Sequence, residues 1–300
     1  MVGDVMAWIE IHIETHAQHV ESLSSLLTEH GALAITLKDA GNHPILEPAF
    51  DQTPPLWPET IIVGLFDAEE NFNALNSYLQ KEKNLHAIKA FNIVPLADDD
   101  WERRCLEGLT PLNFGERLWV VPTTQTALRP DAVNVILDPG LAFGTGTHAT
   151  TALCLEWLEK NIRTDQTILD FGCGSGILAV SAIKLGAKHA YAVDNDPKAI
   201  ATTRENVERN SLPAEQFEVF LAENFQIREP VDVLVANILA LPLIELAPKF
   251  SKWVKKGGKI VLSGILFDQF ERVSAVYQSY FTMQPPVFTE EWSLLSGIRQ

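Results

Sequence analysis

Three glycines at alternate positions, Gly172, Gly174 and Gly176, constrain the fold of this chain more than any other feature. Ile168 and Leu169 ahead of them close a short apolar run that reads as a buried strand, and Ile177 to Leu185 behind them has helical spacing. A strand, a tight turn and a helix N-terminus leave backbone N–H groups bare of side chains and open to a ligand. A second apolar run, Ala190 to Val193, then ends in Asp194. An acidic residue at the tip of the next strand, about 20 residues past the glycines, is placed to accept hydrogen bonds from ribose hydroxyls. The unit is suited to holding a nucleoside, and the chemistry done on that nucleoside has to be read elsewhere.

From Gln166 onward strands and helices alternate. Strands are predicted at 166–170, 189–194, 217–221, 231–236 and 258–264, and helices at 176–185, 197–210, 240–255 and 267–280. Such alternation implies parallel strands covered by helices on both faces. The tail, with Pro285-Pro286 and a strand-like Trp292 to Gly297, can close the sheet as an antiparallel edge. Ahead of this region, Arg117–Pro122 and Val133–Asp138 read as paired strands. Between them and a helix from Ala149 to Glu159 lies the Gly- and Thr-rich loop Asp138–His148. Its Ala142 and Phe143 are more apolar than a free solvent loop requires, which favours a loop that covers a ligand.

The first hundred residues follow another pattern. Trp8 to Glu14 alternates, with Ile9, Ile11 and Ile13 on one face. Thr15 with Gln18 forms a capping-box start for a helix whose stripe is Val20, Leu23, Leu26 and Leu27. Strands at 32–38, 60–66 and 86–96 follow, with a second helix capped by Asp67 and Glu70 and faced by Phe72, Leu75, Tyr78 and Leu79. Strand–helix–strand–strand–helix–strand is the order of a small ferredoxin-like α+β domain. We place it at 1–97, a linker with a short helix at 98–116, and the second domain at 117–300. Asp98-Asp99-Asp100 is placed to cap that linker helix rather than to bind metal.

Charge separates the two domains. Residues 1–100 carry four Lys or Arg against sixteen Asp or Glu, a balance of −12, out of −16 for the whole chain. An acidic first domain argues against nucleic-acid phosphate and fits a basic protein, although an acidic surface also serves solubility alone. Cys105, Cys154 and Cys173 lack metal-ligand spacing, and the histidines offer no zinc set. Residues 1–20 do not read as a secretory signal, and no apolar run approaches the roughly 20 residues of a membrane span. A reduced, cytoplasmic setting is expected.

The glycines alone leave the nucleoside open. Gly174-Ser-Gly176-Ile-Leu-Ala179 fits the G-x-G-x-x-A form of a dinucleotide site, so a nicotinamide enzyme competes on this motif. A second stretch, Val231 to Ala240, discriminates. Its apolar strand ends in Asn237 on the same carboxyl edge as Gly172 and Asp194, where ligands sit in open α/β folds. The Asn237 amide oxygen, with the carbonyls that follow it, can accept hydrogen bonds from an amine and aim its lone pair at a methyl group. The bland alternative is that Asn237 merely caps the next helix.

The sequences Leu-Asp-Pro-Gly-Leu-Ala-Phe-Gly-Thr-Gly-Thr-His (137–148), Asp-Phe-Gly-Cys-Gly-Ser-Gly (170–176) and Asn-Ile-Leu-Ala (237–240) together resemble the bacterial ribosomal protein L11 methyltransferase (PrmA) family. Their order matches, as does the smaller domain ahead of them, so the resemblance covers nearly the whole chain. His148-Ala149 stands where relatives often have His-Pro. The resemblance implies a class I methyltransferase domain, Rossmann-like and mostly parallel, using S-adenosylmethionine. It further implies a basic ribosomal protein substrate gripped by the acidic first domain. Thr151, Gly172, Asp194 and Asn237 would contact the cofactor, with Phe143 in the covering loop. Asp170, Gly174 and Gly176 of the turn, with Thr147 and His148 at the end of the loop, complete the expected cofactor set. Asn237 and Leu239 form the expected catalytic pair, without a metal. A glutamine or adenine methyltransferase would more usually carry Asn-Pro-Pro-Tyr in place of Asn-Ile-Leu-Ala.

Overall fold

A computed structural model describes residues 6–41, 56–68, 72–84, 87–97, 110–127, 129, 131–138 and 148–300. The chain divides into two compact units, Met1–Asp100 and Trp101–Gln300.

In the first unit the elements are β1 (Met6–His16), α1 (Val20–Glu29), β2 (Ala34–Asp39), β3 (Glu59–Asp67), α2 (Asn73–Asn84) and β4 (Ala90–Ala97). The four strands form one antiparallel sheet in the order β2-β3-β1-β4. Ile11 and Ile13 on β1, Leu23 and Leu27 on α1, and Leu75 and Leu79 on α2 are all buried in one core. This is the apolar face that the alternation of β1 and the stripe of α1 predict. Tyr78, expected on the inner face of α2, is instead 41% exposed. The capping box is also absent. Thr15 is fully buried and its hydroxyl donates to Ala87 O at 2.6 Å. A short 3-10 turn, Ala17–His19, leads into α1, and no side chain caps it. A buried hydroxyl is held by a distant carbonyl because leaving that carbonyl unpaired would cost about 1–3 kcal/mol. The expected cap at Glu70, the aspartates 98–100 and the linker helix lie outside the described residues.

The second unit begins with a small sheet of β5 (Leu112–Phe114), β6 (Leu118–Val121) and β7 (Val133–Ile136). β6 and β7 pair in parallel, and β5 pairs antiparallel with β6 across a turn at Gly115. Residues 112–114, read from the sequence as linker, are thus a strand whose Phe114 enters the core of this unit. Then come α3 (Ala149–Asn161), β8 (Thr167–Phe171), α4 (Ile177–Lys184), β9 (His189–Asp194), α5 (Pro197–Arg209), β10 (Phe217–Leu221) and β11 (Val231–Asn237). They are followed by α6 (Ala240–Trp253), β12 (Val254–Leu266), α7 (Phe270–Tyr277), β13 (Phe281–Met283), β14 (Val287–Thr289) and β15 (Trp292–Arg299).

The main sheet runs β10-β9-β8-β11-β12-β15-β13, with β14 on the first half of β15. β8 to β12 are mutually parallel and β15 is antiparallel. The tail closes the sheet as the expected antiparallel edge, with β13 pairing outside the second half of β15. Two apolar clusters cover the sheet. Leu153, Cys154, Leu178 and Val180 belong to one, and Leu243, Phe250, Val273 and Tyr277 to the other. The chain leaves β8 in one direction through β9 and β10, then crosses to the other side for β11. At such a reversal the loops after two neighbouring strands diverge and leave a crevice beyond their carboxyl ends.

Candidate functional site

The crevice is walled on one side by the turn after β8. Gly172, Gly174 and Gly176 have φ of 80°, 55° and 77°, left-handed values that cost an L-residue about 1–2 kcal/mol. A Cβ on Gly172 would lie 2.3 Å from Ile238 Cγ2. The turn is held from outside as well. Thr203 Oγ1 of α5 donates to Gly174 O at 3.0 Å, and Asn206 Nδ2 donates to Ser175 O at 2.9 Å. Gly172 N and Cys173 N both donate to Val193 O, at 2.7 and 3.0 Å, which ties the turn to the end of β9.

Asp194 closes that end. Its Oδ2 accepts from Gly174 N at 2.9 Å and its Oδ1 from Asp196 N at 3.0 Å. Each oxygen keeps acceptor capacity, so the carboxylate is oriented by the backbone and still able to receive two hydroxyl donors.

The opposite wall is the end of β11. Asn237 Nδ2 donates to Thr151 Oγ1 of α3 at 3.3 Å. Asn237 Oδ1 is buried and, among the described residues, has no hydrogen-bond partner. A buried amide oxygen left unpaired costs about 1–3 kcal/mol, so it marks a place where a donor belongs. Ile238 is clasped between two glycines, since a Cβ on Gly264 of β12, with φ 79°, would lie 2.5 Å from Ile238 O. Only the missing side chains at 172 and 264 let the three strand ends approach so closely.

Both walls line one cavity of about 220 Å³, formed by Thr151, Gly172, Cys173, Gly174, Ile177, Leu178, Asp194, Asn195, Asn237 and Ile238. Of the residues expected from the sequence, Thr151, Gly172, Gly174, Asp194 and Asn237 therefore meet there. Asp170 does not line it. Its side chain is fully buried beneath the turn, with Oδ2 accepting from Ala179 N at 3.1 Å and Oδ1 unpaired. Burial raises its pKa to about 7, opposed by the Ala179 hydrogen bond and reinforced by the charge of Asp194. It anchors α4 to the turn. Gly176 faces Thr203 rather than the cavity. His148 is the N-cap of α3, accepts from Thr150 N, and sets its ring edge-on to Trp292 at 5.0 Å. Leu239 is the N-cap of α6 and is 52% exposed, outside the cavity wall. Phe143 and Thr147 lie outside the described residues. Sequence reasoning passed over Cys173, Ile177, Leu178, Asn195 and Ile238, although each is inside or beside a motif that it used.

A larger hollow of about 360 Å³ lies between α5 and β10. It gathers no converging polar groups beyond Asn224 and an Arg204 that reaches toward Val219 O at 3.5 Å, so the smaller cavity is the better functional candidate. The smaller one fits an adenosyl group. It offers a glycine wall bare of side chains, an oriented carboxylate for a ribose, and apolar Ile177 and Leu178 for a base. Among the described residues no His, Cys, Asp and Glu group could hold a metal ion, and no helix is long and apolar enough to cross a membrane.

Comparison with known proteins shows the family. The family model described as ribosomal protein L11 methyltransferase (PrmA) matches residues 7–300. The ribosomal protein L11 methyltransferase of Shewanella sediminis is 47% identical over 295 residues, covering 98% of this chain and all of the relative. That of Photorhabdus laumondii is 45% identical over 294 residues, covering 98% of this chain and 99% of the relative. A crystal structure of ribosomal protein L11 methylase from Lactobacillus delbrueckii subsp. bulgaricus superposes with a TM-score of 0.58 at 29% identity, covering 64% of this chain and all of that one. Built on a class I methyltransferase sheet and matched along nearly its whole length, the chain belongs to the ribosomal protein L11 methyltransferase (PrmA) family.

Proposed function

We propose that this chain transfers methyl groups from S-adenosylmethionine to amino groups of ribosomal protein L11, both lysine side chains and the N-terminal α-amine, in the cytoplasm. The observation that carries this reading is the unpaired, buried Oδ1 of Asn237 in the wall that faces the glycine turn and Asp194. Bound S-adenosylmethionine would supply a sulfonium methyl open to in-line attack by a neutral amine, the N–C bond forming as the S–C bond breaks and S-adenosylhomocysteine leaves. Asp194 and the turn hold the nucleoside. Asn237 Oδ1 accepts an N–H of the amine and so directs its lone pair, while Thr151 holds the amide in place. The contribution is positioning, and no protein nucleophile is needed.

Protonation of the amine is the main obstacle. A lysine of pKa near 10.4 is neutral only ~0.04% of the time at pH 7, a handicap of roughly 4.6 kcal/mol, against ~1 kcal/mol for an α-amine. Asp194 is the one carboxylate lining the cavity, and it is committed to the turn. Burial pushes the neighbouring Cys173 thiol up, away from any role as a base. The amine's proton therefore leaves to water. The rate should rise with pH through the neutral range, and a flat profile with chemistry rate-limiting would contradict this route.

The acidic first unit serves, in this reading, to hold a basic protein substrate over the second. The direct test is transfer of labelled methyl groups from S-adenosylmethionine onto purified L11, followed by mapping of the modified amines. Label on L11 at lysines and the N-terminus is the expected result, and label on a glutamine or on RNA would overturn it.

A further inference from the structure

The carboxyl rim of the main sheet carries a second feature that the cavity does not use. Past Leu266, β12 runs into Phe267, and the β14–β15 hairpin brings Phe288 against it. The ring centroids of Phe267, Phe270 and Phe288 lie 5.1 to 5.7 Å from one another. Yet Phe267 is 57% exposed, Phe288 40% and the adjacent Val287 51%. Aromatic rings stabilise a fold by leaving water, so two that stay wet while stacked on the partly buried Phe270 mark a contact surface rather than core. Asp268, Glu271, Glu290 and Glu291 are exposed around these rings, and Arg272 is the only cation between residues 265 and 291. Glu290 holds φ at 54° at the hairpin tip, a left-handed conformation that side chains disfavour.

A relay of contacts links the strand ends beneath this patch to the cavity wall. Phe267 N donates to Glu291 O at 2.8 Å, and Leu266 pairs with Trp292. The Trp292 ring lies 5.0 Å from His148, which opens the helix bearing Thr151, the partner of Asn237. Ser263 stands level with Asn237 in the sheet. Phe267 follows four residues later, past the left-handed Gly264 and the end of β12.

Resting on the reading that the substrate is an amine of a basic protein, we propose that this aromatic and acidic patch docks a cationic segment of that substrate. The segment would carry an apolar side chain among its Lys or Arg residues. The rings take the apolar side chain, and the carboxylates take the flanking Lys or Arg residues and repel polyanions.

The test uses the full chain with purified L11 as the probe. In the double variant Phe267→Ser, Phe288→Ser, KM for L11 should rise at least about tenfold, while affinity for S-adenosylhomocysteine, read by calorimetry, stays within about twofold. In Asp268→Lys, Glu291→Lys, which alters only exposed charge, KM should rise and lose most of its dependence on salt. The charge variant decides the matter if the aromatic one fails to fold. Unchanged KM in both, with the wild type active on L11, overturns the patch and leaves the reading of the cavity intact. A wild type that methylates no protein overturns that reading and the patch with it. If sedimentation shows a wild-type dimer that the aromatic variant dissolves, the rings belong to a second copy, and the docking proposal falls.

Discussion

The two units meet the same demand, burial of apolar strands, with opposite surfaces as the result. The first is one small antiparallel sheet backed by two helices, and residues 1–100 carry −12 of the chain's −16 charge. Its recognisable chemistry is that acidic composition. The second carries little net charge, and its parallel strands β8, β9, β11 and β12 all end at one rim. Parallel order gathers the ends of consecutive strands on a single edge, whereas antiparallel order sends them to opposite edges. The difference teaches where to look for each kind of function: a cavity in the second unit, an electrostatic surface in the first.

That contrast can be broken from either side. The largest effect should come from Asn237→Ala, which removes the oxygen that would orient the amine. Turnover should fall about 10²- to 10³-fold, on the scale of losing one preorganised polar contact. Steady-state kinetics that stay at the wild-type rate would remove Asn237 from the chemistry. Next is Asp194→Ala, which should weaken binding of S-adenosylhomocysteine about 10- to 100-fold through loss of charge-assisted hydrogen bonds. Unchanged affinity in a titration would take the carboxylate out of the cofactor site.

A change in the first unit should act on a different parameter. Glu21 and Glu29 of α1 are exposed. Their joint replacement by Lys should raise KM for L11 roughly threefold at low salt, less at high salt, and leave KM for the cofactor alone. An equal rise in both constants would erase the division of labour between the units.

The effect furthest from catalysis concerns stability. Asp170 titrates near 7 in the folded chain and near 3.9 when unfolded, so the folded state binds the extra proton. Its contribution is fully present below about pH 4 and is lost as pH rises through about 7, by at most about 4 kcal/mol. Asp170→Asn should flatten the fall in melting temperature over that window. A wild type and variant with parallel pH profiles would show that the carboxyl is not carrying the proton.

Much of the site was legible because its parts are local. Gly172, Gly174 and Asp194 announce a strand, a turn and a strand end through spacing alone, Asn237 stands at the end of an apolar strand, and Thr151 entered only through the family resemblance. Asp170 was read as a ligand contact from its place beside the glycines, and only the packing of α4 puts it under the turn. Leu239 was credited through its neighbour Asn237, whereas Ile238, held between two glycines, is the residue that lines the cavity. Thr15 looked like a helix cap because its local pattern allows it, and a carbonyl 72 residues away competes successfully for its hydroxyl.

By itself, the sequence determined the periodicities: which stretches are strands or helices, which faces are apolar, where backbone must turn left-handed, and that the first hundred residues are acidic. These are properties of neighbours along the chain. The tertiary structure alone decided the order of strands, and with it that β11 lies beside β8, so that Asn237 and the glycine turn share one cavity. The same packing left Phe267 and Phe288 exposed together on the rim. Contacts between residues tens of positions apart depend on which of several compatible packings buries the most surface, and no local pattern encodes that choice.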